Sequence, residues 1–338
     1  MPGEPAVERR STTLWKVALR LLLSAVFLAV LITRGKDIGE SIPRDHPLHT
    51  ALLLSAAVVM MLGGIVLSAW RWQEVLLVFD ARVSIRTLTG HHLAGQFVGN
   101  VLPSTIGGDV LRVARVSKTI NSRETAFASV VLERLSGMLA LPLLVVLGFA
   151  VRPSLLHADH AWFALVVAGL TLGVLGLILV AAGHPGIAGR FATNENWTRF
   201  IGAVFQGIDR GRRDPRRIFG VMAAALAYQI TIVGSYILIF HALDAHVSTA
   251  AAFAFVPAVS MLQALPISFG GLGVREGALV LFRHGLGVTS GVATTAGLLW
   301  YGSLVIVSML GAPIVAIGMR DKATDDETDE TKSNELAS

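Results

Sequence analysis

Long apolar runs separated by short polar breaks dominate this chain, and they predict full helical crossings of a membrane at about 14–33, 48–69, 125–151, 162–183, 217–241 and 288–318. Each run approaches or exceeds the roughly 20 residues that cross about 30 Å of hydrocarbon as a helix, and none alternates like a barrel strand. Two further regions, 86–116 and 250–286, are too broken by Gly, Pro and polar residues to be simple spans, yet too apolar for ordinary loops. They predict re-entrant helical hairpins, because irregular backbone at membrane depth is tolerated only where protein buries it or a wet cavity meets it. The predicted fold class is an all-α polytopic membrane protein, with about six full transmembrane helices plus two re-entrant hairpins.

Composition agrees: 53% of the 338 residues are hydrophobic and only 15% are charged. There are no cysteines, which excludes disulfides, thiolate metal sites and cysteine nucleophiles. The first apolar run follows Arg9 and Arg10 as a signal peptide would, but "LLLSAVFLAVLITRGK" offers no small-x-small cleavage site, so it is expected to remain as the first helix. With both hairpins returning to the side they enter from, one side of the membrane collects 19 Lys and Arg against 6 on the other. The richer side is expected to be the cytoplasm, which places the chain in the cell inner membrane with both termini cytoplasmic. Residues 1–13 and the acidic tail 320–338 read as disordered flanks of a transmembrane domain at 14–319. Between two crossings, "ENWTRFIGAVFQGIDRGRR" spaces Trp197, Ile201, Val204, Phe205 and Ile208 on one helical stripe opposite arginines. That predicts an amphipathic helix over about 195–213, lying on the anionic inner leaflet or packed on the protein.

The two broken regions share a pattern. "NVLPSTIGGDVLR" (100–112) and "QALPISFGGLGVR" (263–275) both fit amide-x-Leu-Pro-x-x-x-Gly-Gly-x-x-x-Arg without a gap. Asn100, Gly107, Gly108 and Arg112 correspond to Gln263, Gly270, Gly271 and Arg275, and Ser104 and Ser268 fall within the same stretches. Three crossings lie between the copies, so one opens from each side of the membrane and the repeat is inverted. In such transporters broken helices bind polar substrate near the midplane. Here a proline would end one short helix, the glycine pair would permit a tight reversal, and the next helix would start with free N–H groups that favour anions. The arginine about one turn on can add a bidentate guanidinium fork. The plainer alternative is that Gly-Gly allows close helix packing and the arginine reaches for a headgroup.

Six charges are expected within the membrane zone: Asp109, Arg112, Glu133, Arg134, Arg275 and Glu276. Each would cost on the order of 3 kcal/mol if unpaired. Asp109 and Arg112 are i, i+3 neighbours, whereas Glu133/Arg134 and Arg275/Glu276 point about 100° apart and are expected to find partners elsewhere. A structural ion network and a substrate site both fit this set. His91 and His92 are read as interfacial polarity rather than metal ligands, and Tyr228, Gln229, Trp300 and Tyr301 as packing. No Walker sequence, dinucleotide fingerprint or soluble catalytic domain is present, which argues against ATP-driven pumping by the chain alone.

Taken together, "GQFVGNVLPSTIGGDVLRVARV", "ASVVLERLSG" and "LPISFGGLGVREGALV" resemble the lysylphosphatidylglycerol synthase transmembrane-region family, also called flippase-like integral membrane proteins, over about residues 14–318. The resemblance implies inter-leaflet movement of a polar-headed lipid, with Arg112, Arg134 and Arg275 as anion contacts and Asp109, Glu133 and Glu276 as counter-charges. Implied partners are membrane lipids, whether phospholipid, polyprenyl-phosphate-linked glycolipid or hopanoid-type, and a separately encoded lipid-modifying synthase. No nucleic acid, metal, cofactor or catalytic residue is expected. The chain ends soon after the last crossing, so lysine transfer by an aminoacyl-transferase domain is not expected of it. A membrane-embedded transferase using Glu133 or Asp109 as base, and an ion-coupled carrier of a small organic anion, are the alternative readings.

Overall fold

The structure is a computed structural model that describes residues 41–43, 45–101, 107–183, 195–264, 271 and 273–317, with backbone alone at 101, 181–183 and 195–201. The first predicted crossing, both termini, Ser104, Ser268 and Gly270 lie outside these residues. Eleven α-helices and no strands form among them: α1 (Pro47–Val78), α2 (Ile85–Val101), α3 (Gly107–Ile120), α4 (Arg123–Val151), α5 (Ala161–Gly183), α6 (Glu195–Arg213), α7 (Pro215–Ala242), α8 (Thr249–Gln263), α9 (Val274–Leu281), α10 (Arg283–Leu286) and α11 (Ser290–Met309). Five are long and apolar enough to cross a membrane: α1, α4, α5 over Ala161–Val180, α7, and α11 with its continuation to Ile317. These coincide with the second to sixth predicted crossings. The chain is an all-α multi-pass membrane protein.

Local chemistry sets the helix limits. Pro47 and Pro215 open α1 and α7 at positions where a missing N–H costs nothing. Ser122, Asp214, Ser248 and Thr289 cap α4, α7, α8 and α11 by accepting backbone N–H bonds at 3.2–3.3 Å. Asp80 and Asn121 take left-handed backbone at φ 59° and 53°, closing α1 and α3.

Packing relies on small residues, as it must where lipid is as apolar as any side chain. α1 and α7 run antiparallel: a methyl on Gly64 would meet Thr231 and Tyr228, one on Gly234 would meet Met60, and one on Gly220 would meet Glu74. At the opposite end of the bundle, Gly148 of α4 lies against the Ala250–Ala254 backbone of α8. α5 stays peripheral, exposing Trp162, Leu170, Val174 and Leu177 along a face suited to lipid.

Helix directions place the two interrupted segments at opposite ends. α1 ends where α4 begins, since Ser68 and Arg71 bond Glu133 and Gln73 reaches the Val83 carbonyl. Between them α2 and α3 form an antiparallel hairpin, with Gly95 beside Gly108 and Arg112. α7 starts at this end, through Arg217 and Glu74, and finishes at the far one. There α8 and α9 form the second hairpin, Gln263 lying beside Gly271 and Arg275 while the Phe255 and Phe282 rings sit 5.2 Å apart. α11 then returns, its Gly297 beside Glu276 and its Gly311 beside Leu93 of α2. The paired helices span 85–120 and 249–281, against predicted re-entrant ranges of 86–116 and 250–286.

The repeat is not kept residue for residue. α3 begins at Gly107, so Arg112 is its sixth residue; α9 begins at Val274, so Arg275 is its second. Gly271 and Gly273 hold φ at 75° and 87°, a conformation that delays the second helix. α6 packs on the protein beside the predicted stripe: Ala203 is buried, Gly207 faces Leu132 and Phe79, and Arg210 pairs Asp80 at 3.3 Å, while Val204, Phe205 and Ile208 of the stripe are part-buried.

Replacing Gly108 by alanine would drive its methyl into the Gly95 carbonyl. We expect Gly108→Ala to destabilise the purified protein by about 1–3 kcal/mol, as overpacking does. Gly63→Ala, which meets nothing within 4 Å, should be neutral or slightly stabilising. Thermal unfolding in detergent checks both, and equal behaviour of the two variants would contradict the hairpin contact.

Candidate functional site

The carboxylate of Glu133, ten residues into α4, is 1% exposed and lies roughly 15 Å along the helix from its start at 1.5 Å per residue. Oε1 accepts from the Ser68 hydroxyl at 3.1 Å and from Arg71 Nε at 2.9 Å, with a second, shorter bond from Arg71 Nη2. Oε2 accepts from Arg112 Nη2 at 3.1 Å. Arg112 also lies 3.5 Å from Asp109, as expected from their i, i+3 spacing, and Asp109 pairs Arg134 at 2.5 Å. Arg134 is the exposed member, its side chain 58% accessible. Among the described residues three guanidinium groups therefore face two carboxylates, an excess of one positive charge.

Aromatic faces and a glycine complete the setting. The Arg112 guanidinium stands 4.3 Å above the Trp72 ring and that of Arg71 5.1 Å above Tyr228. Gly137, one turn beyond Glu133, leaves the space that Arg71 Nη1 occupies, and Gln229 donates to its carbonyl at 3.3 Å. Arg71 Nη1, Arg112 Nε and Asn100 Nδ2 are buried with no hydrogen-bond partner among the described residues. Such donors are costly to bury unless something accepts from them.

A second cluster occupies the far hairpin. Arg275 is fully buried; its Nε donates to Gln263 Oε1 at 3.2 Å and its Nη1 lies 3.7 Å from Glu276 Oε1. The rings of Trp300 and Tyr301 flank it at 4.7 and 5.2 Å, and Trp300 stacks on Tyr236 while donating to Ser235. Glu276 also accepts from the Gly273 N–H at 2.5 Å, so one carboxylate caps α9 and neutralises its neighbour. One arginine and one carboxylate balance here.

Both hairpins lie within a stretch that matches a known family. The sequence profile described as "Lysylphosphatidylglycerol synthase TM region" matches residues 17–311. The chain belongs to that family. It is 25% identical over 310 aligned positions to a protein named "UPF0104 membrane protein" from Methanothermobacter thermautotrophicus, covering 83% of this chain and 89% of the relative. It is 27% identical over 345 aligned positions to a protein named "Glycosyltransferase AglD" from Haloferax volcanii, covering 91% of this chain but only 54% of that protein. No solved structure matches.

Within this family member, the structure gathers Asp109, Arg112, Glu133 and Arg134 around one hairpin and Gln263, Arg275 and Glu276 around the other. No ion pair joins the two groups among the described residues. Glu133 and Arg134 diverge to different partners as their spacing predicts, but Arg275 and Glu276 pair with each other, because the helix start leaves Arg275 room to fold back. Tyr228, Trp300 and Tyr301, read from sequence as packing, are the ring faces beneath the arginines. Among the described residues no group of His, Asp and Glu could hold a metal, and His91 and His92 are not joined by a third ligand.

Arg71 is the member of the Glu133 cluster that sequence reasoning missed. The second crossing was expected to end at 69, whereas α1 continues to Val78 and carries Arg71 inside the bundle. The signal was present in "AWRWQEV": aromatics on both sides of an arginine at the end of a span suit a buried cation.

Glu133→Gln would leave two buried guanidinium groups facing each other, and breaking a buried pair costs about 3–5 kcal/mol. Arg134→Gln removes a largely exposed partner, which should cost about 0–1 kcal/mol. Melting temperatures in detergent should fall sharply for the first and little for the second; comparable losses would contradict the assignment of Glu133 as the centre.

Proposed function

We propose that this protein moves a polar-headed, phosphate-containing lipid between membrane leaflets, as a flippase or scramblase. The observation that carries the reading is the excess guanidinium charge around Glu133 among the described residues, which also leave donor hydrogens of Arg71, Arg112 and Asn100 buried and unmatched. A phosphate group carries the complementary charge and enough acceptor oxygens for two arginine forks. In this reading both hairpins are re-entrant, the headgroup passes between them through a hydrated path, and the acyl chains stay in the bilayer. The excess of Lys and Arg at the Glu133 end supports placing that end in the cytoplasm and the protein in the cytoplasmic membrane.

The glycosyltransferase relative favours a polyprenyl-phosphate-linked sugar among the candidate lipids, since that protein's name couples the family's fold to glycosyl chemistry. It does not favour chemistry by this chain. Both oxygens of Glu133 are engaged by arginines and Asp109 is paired twice, so neither carboxylate is placed to act as a general base.

Liposome reconstitution with headgroup-labelled lipid and an external quencher tests the reading. The wild-type protein should expose inner-leaflet label to the quencher. Arg71→Lys and Arg112→Lys keep the charge but lose the fork; each lost charge-assisted bond, about 1.5–3 kcal/mol, should slow crossing roughly 10- to 100-fold while the protein stays folded. Arg275→Ala should abolish crossing. Wild-type rates in the lysine variants would overturn the anion role, and a new glycolipid in the same vesicles would establish the transferase reading instead.

A further inference from the structure

At the far end of the bundle, away from Glu133, the loop after α4, the start of α8 and α10 enclose a cleft of about 420 Å³. That lies within the roughly 300–1,000 Å³ typical of ligand pockets. Its chemistry is one-sided: Arg152, His157, His246 and His284 line it together with Ser154 and Ser248, and no carboxylate among the described residues does. Ser248 caps α8 by accepting from Ala251 N–H, so its own hydroxyl hydrogen is free to donate and the positive end of a 15-residue helix adds to the field. We propose that this cleft is a second anion site, built to bind a phosphate-bearing ligand at the end of the protein opposite the Glu133 cluster.

The site stands whether or not the chain moves lipid, because none of its residues takes part in the arginine clusters. Asp159 sits on the rim, bonded to His284 Nδ1, and the nearby His284, His160 and Arg283 hold its carboxyl below the usual range. The other groups near the cleft are His241, whose ring meets His246 at 5.6 Å, and Asp244 on the turn that follows α7. Asp159 is the nearest counter-charge, and a ligand phosphate would compete with it for His284. Two sources share this chemistry, a lipid headgroup and a free phosphate.

Calorimetric titration of the full chain in neutral detergent at pH 6 separates them, with inorganic phosphate in one arm and dihexanoylphosphatidylglycerol in the other. At least one should bind saturably. Arg152→Gln combined with His157→Gln should reduce affinity at least tenfold; Asp159→Asn, which removes the competing carboxylate, should increase it. All three residues are exposed, so folding should be unaffected. The affinity lost on changing Arg152 and His157 should be the same whether or not Arg112 is also changed to lysine. Absence of saturable binding in both arms, or affinity that ignores Arg152 and His157 but follows Arg112, would overturn the proposal.

Discussion

The buried carboxylate of Glu133 is the interaction on which the arrangement of helices depends. Charge within a membrane-spanning bundle is tolerated only when partners or water neutralise it. Glu133 draws Arg71 from α1 and Arg112 from α3 onto α4, joining three elements, and a buried hydrogen bond from Trp72 to Ser129 reinforces the contact of α1 with α4. The first hairpin is thereby fastened to the bundle by charge as well as by the Gly95–Gly108 approach. Close approach and charge pairing support each other: glycine at 108 lets the hairpin close, and Glu133, with Asp109 and the Trp72 ring, offsets the burial of Arg112.

The second hairpin solves the same problem differently. Its arginine begins a helix rather than lying a turn and a half inside one, and it finds neutrality in the adjacent Glu276 and in two aromatic faces. The two ends of the bundle thus repeat a sequence pattern without repeating an electrostatic state. One cluster carries surplus positive charge and the other is balanced. For an anionic headgroup that difference makes the Glu133 end the stronger attraction and the Arg275 end the weaker.

Much of this was legible in the sequence, for identifiable reasons. Crossings from residue 47 onward follow from uninterrupted hydropathy, and the two hairpins follow from a gapless pattern of amide, proline, glycines and arginine. What escaped depends on distant partners. Hydropathy ends the second crossing before Arg71, because it scores an arginine as if it faced lipid; the helix continues because Glu133, 62 residues away, receives it. The pairing of Arg275 with Glu276 contradicts the rule for adjacent helical residues because Gly271 and Gly273 shift the helix start. Matching Arg112 to Arg275 by sequence was sound as a motif and misleading as geometry.

The central claim is that the surplus guanidinium charge around Glu133 receives a lipid phosphate. Phosphorus–nitrogen dipolar recoupling by solid-state NMR, on protein labelled with nitrogen-15 at its arginine side chains in lipid bilayers, reads that contact directly. The account predicts a phosphate signal dephased by guanidinium nitrogen in the wild-type protein and diminished in a variant with lysine at both 71 and 112, beyond the background from surface arginines. Identical dephasing in the two proteins would mean that Arg71 and Arg112 serve the fold alone.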